Sequence, residues 1–160
     1  MHAYRISGLD PALFDSCRSL DAAALARCGA RRVVADSDSG YPCRISLENA
    51  RTGESLLLLP FEHHPVSGPY RASGPIFIRE CATQRNWMDD AVPESFLRRL
   101  LSVRAYDAEG EMRDADVAEG TQLEALIQRL LDDTQVDYLH IHNARRGCYA
   151  ARVTRQSRRS

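Results

Sequence analysis

The sequence predicts an α+β fold: a single domain with a mainly antiparallel sheet of about eight strands, either open or curled toward a barrel, and three or four helices. Three observations predict it. The chain has 160 residues, 44% of them hydrophobic and 27% charged, which is the size and composition of one globular domain. Short apolar runs are separated by turns rich in Gly, Asn and Asp, as in hairpins. Strands and helices do not alternate regularly, which argues against a parallel sheet of βαβ units.

Four segments predict helices, because each combines a start or stop signal with apolar residues at helical spacing. Asp10 can cap the first helix and Pro11 suits its first turn, while Gly29 ends the Ala-rich second helix. In the clearest helix, Thr121 and Glu124 are spaced as a capping box ahead of a regular apolar face. The four segments are 11–17, 20–28, 93–101 and 121–131.

Eight segments predict strands, arranged mostly in hairpins. The four leucines at 56–59 show no alternation, which predicts a strand buried on both faces and central in its sheet. Residues 67–75 repeat Ser-Gly-Pro, and we expect this segment to be irregular because proline and glycine interrupt strands and helices alike. The strands are expected over 31–36, 43–48, 54–61, 75–80, 103–107, 111–117, 136–142 and 148–155.

No linker or repeat divides the chain, so we expect residues 1–155 to form the domain and the basic segment 156–160 to be a disordered tail. The net charge of −1 gives no overall field that would recruit nucleic acid, and we expect neither a nucleic-acid nor a membrane partner. Five scattered cysteines without a C-x-x-C pair predict neither a disulfide framework nor a zinc finger. The N-terminus lacks the apolar core of a signal peptide, so the expected location is the cytoplasm.

The chain contains 21 arginines and no lysine. Schiff-base catalysis, a pyridoxal-phosphate lysine and a Walker-A lysine are therefore excluded. The motifs G-x-S-x-G, G-x-G-x-x-G and S-x-x-K are also absent from the sequence, which removes support for several hydrolase and nucleotide-binding classes. No cofactor is predicted. Arginine offers planar, permanently charged groups that suit carboxylates and phosphates.

The densest group of reactive residue types lies in the last predicted hairpin. Tyr138, His140 and His142 share one face of its first strand, while Leu139 and Ile141 face the core. The row of aromatic and imidazole side chains is therefore a candidate site.

A five-residue loop over 143–147 would place Cys148 opposite His142, within reach of a thiolate–imidazolium pair. In that arrangement we expect Cys148 to be a nucleophile and His142 a general base. A shift of one residue in the register would put the two side chains on opposite faces. The alternative is a small buried cysteine packed beside a structural histidine.

Metal binding is a second interpretation of the histidines. His140 and His142 have a spacing that metal sites use. Four further groups could complete a set of ligands: Glu62, His63, His64 and Cys148. The chain lacks an H-E-x-x-H motif and paired cysteines, and histidines on a polar strand face more often bond to their neighbours. No metal is predicted.

An anion site, built from arginine-bearing loops, is the third interpretation. The Gly-rich segment 67–75 supplies Arg71, Ser73 and backbone amides, which suit a carboxylate or phosphate. If the other loops meet it at one end of the sheet, four guanidiniums surround a small anionic metabolite. The alternative is that each arginine ties a loop to a carbonyl or pairs with an acidic residue. The candidate ligand-binding residues are Arg44, His63, Arg71, Ser73, Gly74, Tyr138, His140, Arg145 and Arg146.

Five blocks of the sequence carry a resemblance to a known family: RRVVAD at 31–36, YPCRISLE at 41–48, EH at 62–63, PYRASGPIF at 69–77 and HNARRGCYAAR at 142–152. With these blocks the chain resembles the bacterial domain-of-unknown-function family number 1203. The resemblance extends from about residue 4 to residue 155, and the last two blocks are the most specific. It implies a compact cytosolic bacterial protein of similar length, and it implies no activity or catalytic residue.

Two classes of function remain. One is a small-ligand site, binding or catalytic, where loop 62–75 meets hairpin 138–152, and a cleft between them would favour it. The other is a non-catalytic interaction module or a homodimer, which an apolar surface patch would favour. The density of Arg, His, Cys and Gly in these two segments favours the ligand site, while enzyme activity stays open.

Overall fold

Two antiparallel sheets and three short helices make up the computed structural model, which describes residues 1–157. The strands are β1 (Tyr4–Ser7), β2 (Arg31–Val34), β3 (Ser55–His64), β4 (Ala72–Arg79), β5 (Trp87–Asp89), β6 (Leu100–Tyr106), β7 (Met112–Glu119), β8 (Tyr138–Asn143) and β9 (Tyr149–Arg155). The helices are α1 (Asp15–Arg18), α2 (Ala22–Arg27) and α3 (Leu123–Leu131), and 3₁₀ turns cover Pro11–Phe14, Glu94–Phe96 and Gly120–Gln122.

The larger sheet has six strands in the order β5-β1-β9-β8-β6-β7, and the smaller has three in the order β2-β3-β4. All neighbouring strands pair antiparallel. The predicted α+β class with a mainly antiparallel sheet is therefore confirmed, and the sheets are open rather than closed into a barrel. The described part of the chain has nine strands; β1 and β5, with four and three residues, were not predicted.

Helix α3 covers one face of the six-stranded sheet. Its apolar residues, among them Leu123, Ile127 and Leu130, are buried against apolar side chains that alternate along β6, β8 and β9. From β8 these are Leu139 and Ile141, the pair that the sequence assigns to the core. The opposite face of β8 is thereby turned toward the three-stranded sheet.

A second core is built around the three-stranded sheet. Strand β3 is its central strand, and Leu56 and Leu57 are both fully buried although they face opposite sides. The prediction of a central strand buried on both faces is confirmed. Phe14 and Leu25, from the segments that precede β2, pack in the same core as Leu57.

The prediction of a strand over 43–48 is wrong. The segment turns, with only isolated bridges at Pro42 and Cys43. The Cys43 carbonyl accepts a hydrogen bond from the Leu47 amide, and its Sγ accepts one from the Ser46 amide. Leu47 has a φ of 61°, in the left-handed region, which a strand does not contain. Strand β2 takes the expected place beside β3.

The prediction of a helix over 93–101 is also wrong. One 3₁₀ turn forms there, and Leu100 already begins β6. Leu100 and Leu101 pair with β7, so the apolar spacing that suggested a helix belongs partly to a strand. Gly120 allows the close packing of this turn, because a Cβ at that position would lie 1.9 Å from the Phe96 carbonyl oxygen.

Two element boundaries also differ from expectation. The capping box of Thr121 and Glu124 does not form, because a 3₁₀ turn precedes α3, which begins at Leu123 without a side-chain cap. Strand β4 begins at Ala72, inside the segment 67–75 that we expected to be irregular. Its proline is tolerated because β4 is an edge strand.

Within residues 1–157, none of the helices is long and apolar enough to cross a membrane. The Gln156 amide donates to the Ala3 carbonyl at 2.8 Å, so the chain just beyond β9 is still bonded to the N-terminal segment. Of the tail expected over 156–160, residues 158–160 lie outside the part that the structure describes.

Candidate functional site

The polar face of β8 packs against the end of β3 and forms a buried group of imidazole and phenol rings. The β3–β4 register shifts near the end of β3, and both His63 and His64 reach this group. The ring centroids of His63 and His142 are 5.0 Å apart, and those of His64 and His140 are 5.1 Å apart. We call it the imidazole cluster; its members are His63, His64, Tyr106, Tyr138, His140, His142 and Tyr149.

Hydrogen bonds orient only part of the cluster. His64 Nδ1 lies 2.8 Å from the Tyr70 carbonyl oxygen, which only accepts, so this nitrogen carries the proton. His64 Nε2 is then the acceptor for the Tyr138 hydroxyl at 2.6 Å. His142 Nδ1 likewise donates to the Gly147 carbonyl at 2.9 Å. Three buried ring nitrogens have no hydrogen-bond partner in the described structure: His63 Nδ1, His140 Nδ1 and His142 Nε2.

Burial keeps these imidazoles neutral at neutral pH. Desolvation lowers the pKa of His63 and His142 to about 4 and that of His140 to about 2, and the Arg104 guanidinium adds to the effect at His63 and His142. Among residues 1–157, no three His, Cys, Asp or Glu side chains form a group that could hold a metal ion. His63, His140 and His142 therefore pack between the two sheets as neutral side chains.

The pairing of the last hairpin differs from the expected one. Strands β8 and β9 form the hairpin, but His142 lies opposite Tyr149, with a register shift beside it. Cys148 precedes β9, and its Sγ accepts a hydrogen bond from Asn143 Nδ2 at 3.4 Å. The expected register, with Cys148 opposite His142, is therefore wrong. Residues of the turn do not determine where the register shifts, so this could not be predicted.

Beyond the end of this hairpin lies a pocket of about 1250 Å³. Most of its lining comes from three segments far apart in the sequence: 38–51, 86–100 and 143–148. We call it the arginine pocket, because six arginines line it: Arg44, Arg51, Arg98, Arg99, Arg145 and Arg146. Four carboxylates also line it, which leaves an excess of two positive side chains; they are Asp38, Glu48, Glu94 and Glu119.

Arg44 is the most buried of these arginines, with 2% of its surface exposed. Its Nε donates to the Tyr149 carbonyl at 2.7 Å, and its Nη1 donates to the Pro42 carbonyl at 2.5 Å. Burial lowers its pKa, and within residues 1–157 it forms no ion pair with a carboxylate. The two carbonyls thus hold the guanidinium in place without neutralising its charge.

Arg99 brings a second guanidinium to the same place. It donates from Nη2 to Asn49 Oδ1 at 3.2 Å and from Nη1 to Asn143 Oδ1 at 3.5 Å, and it lies 5.3 Å from the centre of the Phe96 ring. Its pKa is lowered to about 10, first by burial and then by the charge of Arg44. The charges of Arg44 and Arg99 therefore repel each other, and the hydrogen bonds given above for the two guanidiniums go to neutral oxygen acceptors.

The Cys148 thiol lies close enough to interact electrostatically with both Arg44 and Arg99. Asn143, the last residue of β8, joins these groups: its Oδ1 accepts from Arg99 and its Nδ2 donates to the Cys148 sulfur. The two contacts determine the orientation of this amide, because only Oδ1 can accept from a guanidinium. The neighbours of the Cys148 sulfur named here are therefore one hydrogen-bond donor, Asn143, and two positively charged groups, Arg44 and Arg99.

The carboxylates of the arginine pocket are bonded elsewhere or exposed. Asp38 accepts two hydrogen bonds from Thr52, both at 2.8 Å, and Glu48 pairs with Arg79 at 3.3 Å. The other two are exposed to solvent. Within residues 1–157 none of the four bonds to Arg44 or Arg99, so no carboxylate in contact with the two inner guanidiniums neutralises their charge.

The structure divides the predicted site residues between these two regions. The arginine pocket is lined by Arg44, Arg145, Arg146 and Cys148, and the imidazole cluster contains His63, Tyr138, His140 and His142. Arg71 lies in neither region; it makes a bidentate ion pair with Glu62 at 3.0 and 3.2 Å on the surface. Ser73 and Gly74 lie in β4 and do not line the pocket. Segments 62–75 and 138–152 thus meet at the cluster.

Sequence reasoning missed Arg51, Arg98 and Arg99. The last two lie in the segment 93–101, where we expected a helix, and no spacing in the sequence connects Arg99 with Asn49 or Asn143. The one available signal was the Arg98-Arg99 doublet itself, which is similar to the doublet at 145–146.

A comparison with known families supports the resemblance noted in the sequence. The model of the family described as Protein of unknown function (DUF1203) matches residues 40–155, well over half of the chain. Four of the five sequence blocks lie in this range, and so do Arg44, Arg99, Asn143 and Cys148. No curated protein and no solved structure matches the chain.

Proposed function

The chain belongs to the DUF1203 family, and we propose that its arginine pocket binds a small anionic ligand. One observation supports the proposal above all others. Arg44 and Arg99 are neighbouring guanidiniums, one buried and one half-buried, and within residues 1–157 neither forms an ion pair with a carboxylate. An anion is the partner that this arrangement lacks.

The energetics favour an anionic partner. A buried ion without a counter-charge costs several kcal/mol even after the protein relaxes around it, and a bound anion offsets this cost. The planar fork of a guanidinium matches the oxygens of a carboxylate or phosphate. Because the Tyr149 and Pro42 carbonyls already hold Arg44, little side-chain entropy is lost when a ligand binds.

The exposed arginines of the pocket assist at its mouth. Arg51, Arg98, Arg145 and Arg146 are exposed to solvent. The excess of two positive side chains in the lining raises the local concentration of an anionic ligand and its rate of association. These residues therefore attract the anion, and the two inner guanidiniums bind it.

The size and lining of the pocket indicate an organic ligand. Its volume of about 1250 Å³ is above the range of roughly 300–1,000 Å³ that small-molecule pockets occupy, so an organic ligand has room to enter. Leu47, Phe77 and Met88 contribute apolar wall. A small metabolite with a carboxylate or phosphate at one end and an apolar body fits both parts of this lining.

Isothermal titration calorimetry with inorganic phosphate and with succinate tests the proposal. We expect the wild-type protein to bind at least one of the two anions. Arg99→Gln should bind it roughly tenfold more weakly or worse, because one charge-assisted hydrogen bond is worth about 1.5–3 kcal/mol. The substitution keeps a hydrogen-bonding amide beside Asn49 and Asn143 and removes the charge.

Arg71→Gln is the matched control. The same exchange is made at an arginine that pairs with Glu62 outside the pocket, so its anion affinity should equal that of the wild type. The proposal fails if the wild-type protein binds neither anion, or if both variants lose affinity equally.

We further propose that the protein works in the bacterial cytoplasm. In support, all five cysteines are free, as expected in a reducing compartment. The alternative of an interaction module or homodimer stays a prediction, and native mass spectrometry of the purified protein gives the subunit number together with any bound anion.

A further inference from the structure

We propose that Cys148 is a nucleophile that is selective for electrophiles carrying a carboxylate or phosphate. The selectivity rests on the proposed anion binding, since the same two guanidiniums, Arg44 and Arg99, would hold the anionic group. The nucleophilic role rests on the immediate surroundings of the sulfur. An experiment can therefore overturn the selectivity for anionic electrophiles without overturning the nucleophilic role, and the reverse.

The surroundings of the sulfur are suited to the negative charge that it carries after its proton has left and before it attacks. Asn143 Nδ2 donates to it at 3.4 Å, and the positive charges of Arg44 and Arg99 act on it. Arg44 is 2% exposed and faces the pocket without a carboxylate partner in the described structure. Cationic groups and hydrogen-bond donors around a thiol are the surroundings that activated cysteines share.

The other cysteines differ from Cys148. Cys43 is buried, and its Sγ already accepts from the amides of Ser46 and Arg79. Cys28 and Cys81 are exposed and do not line the arginine pocket. Cys148 alone among the five combines partial exposure with a place on the wall of this pocket.

Activation here does not depend on a histidine. His142 faces the imidazole cluster, where its Nδ1 donates to Gly147 and its Nε2 is buried without a partner. Asn143 and the two guanidiniums take the place that an imidazole has in a Cys–His pair. The base that removes the thiol proton is then solvent.

The reaction is a simple displacement. The Cys148 thiol loses its proton to water, and the sulfur lone pair forms a bond to an electrophilic carbon of the ligand. The bond from that carbon to the leaving group breaks, and the leaving group departs with the electron pair. During this step Arg44 and Arg99 hold the anionic group and so place the carbon next to the sulfur.

Two alkylating reagents of nearly equal size test the proposal. Iodoacetate carries a carboxylate and iodoacetamide is neutral; each transfers its carbon to sulfur and releases iodide. Peptide mass spectrometry gives the rate at each cysteine, and the rates in the urea-unfolded chain correct for intrinsic differences. Cys28 and Cys81 serve as internal controls in the same molecule.

We expect Cys148 to react faster than the control cysteines with both reagents, and its ratio of iodoacetate rate to iodoacetamide rate to exceed theirs by about tenfold. Inorganic phosphate should slow the reaction of iodoacetate at Cys148 and leave Cys28 unaffected. In Arg99→Gln the rate ratio at Cys148 should fall toward that of the controls.

The outcomes separate the two parts. If Cys148 reacts no faster than Cys28 and Cys81 with either reagent, it is not a nucleophile, and the calorimetric test of anion binding stands independently. If Cys148 reacts fast but shows neither charge preference nor protection by phosphate, the selectivity is overturned, and an absence of calorimetric binding then removes the proposed function as well.

Discussion

The imidazole cluster and the arginine pocket both bury basic side chains, and they deal with the charge in opposite ways. A buried histidine can release its proton, and the pKa values of His63, His140 and His142 fall well below their usual range. Arginine stays protonated in proteins, so Arg44 keeps its charge although it is buried. The three histidines of the imidazole cluster are therefore neutral, whereas the arginine pocket keeps a positive charge that an anionic ligand can neutralise.

The two regions are adjacent along β8, which makes the contrast instructive. His142 belongs to the imidazole cluster, and the next residue, Asn143, bonds to Arg99 and Cys148 at the arginine pocket. The density of His, Arg and Cys along the last hairpin predicts a single site, although these residues belong to two regions. The protonation state that burial allows is what separates a structural group from a candidate binding group.

The largest effect that we expect is a loss of stability as the pH falls. The folded pKa values of His63 and His142 are about 4 and that of His140 is about 2, all below the ordinary value of 6.5. The unfolded chain therefore binds protons first, and the contribution of the cluster is present above pH 6.5 and is lost as the pH falls toward 4. Each such histidine lowers the free energy of unfolding by up to about 1.4 kcal/mol per pH unit.

Urea unfolding between about pH 7 and about pH 5 measures this slope. His140→Leu removes one of the three histidines with a lowered pKa and an unpartnered buried nitrogen, so the slope should decrease by about a third. A free energy of unfolding that stays constant over this range would show that the cluster is not buried neutral.

The second effect compares two arginines in different surroundings. Arg79 makes a bidentate pair with Glu54 at 2.6 and 2.7 Å, and Arg79→Met should lower the free energy of unfolding by about 2 kcal/mol or more, because it leaves that carboxylate unpaired. Arg99→Met should raise it by up to about 1 kcal/mol, because it removes repulsion with Arg44. Equal destabilisation of the two variants in urea would contradict an unpaired charge in the pocket.

The third effect concerns the hydrogen bond that connects the two sheets within the cluster. Tyr138→Phe removes the hydroxyl that donates to His64 Nε2 at 2.6 Å and keeps the ring. We expect a loss of about 1 kcal/mol in the free energy of unfolding at neutral pH. Tyr70→Phe is the control, since His64 bonds to the backbone carbonyl of that residue and the hydroxyl is not involved. A Tyr138 variant as stable as this control would make the bond irrelevant to stability.

The smallest effect is expected at the surface pair of Arg71 and Glu62. Arg71 has a side chain that is 62% exposed. Exposed ion pairs contribute about 0–1 kcal/mol, so Arg71→Gln should unfold within about 0.5 kcal/mol of the wild type. A larger loss would mean that this arginine supports the segment 67–75 in a way that its ion pair does not explain.

Local sequence patterns predicted the elements that depend on local physics. The helix pattern before residue 131, the buried leucines of β3 and the last hairpin are read from periodicity and turn residues, and the structure confirms them. The predictions failed where contacts distant in sequence decide. The apolar residues of 93–101 follow helical spacing, yet pairing with β7 and β8 makes Leu100 and Leu101 part of a strand.

The sequence predicted which types of residue form the candidate site, but it did not predict which of them lie together in the folded chain. Arg44, Arg145, Arg146 and Cys148 stand out in the sequence, and the structure brings them to one pocket. Arg99 could not be identified, because it is a candidate only through its position beside Arg44 and through having no ion pair within residues 1–157, and no spacing in the sequence encodes either property. The same holds for the register of the last hairpin, where a single shift beside His142 decides which residues are neighbours.

Tyr149 belongs to both regions. Its ring stacks on His63, with centroids 5.4 Å apart, and its backbone carbonyl accepts the hydrogen bond from Arg44. Under the proposed anion binding, occupancy of the pocket and titration of the histidines would act on one residue from its two ends. By thermodynamic reciprocity, whatever factor the anion imposed on proton uptake, proton uptake would impose on the anion. Tyr149 would then be the residue through which ligand binding and proton uptake are linked.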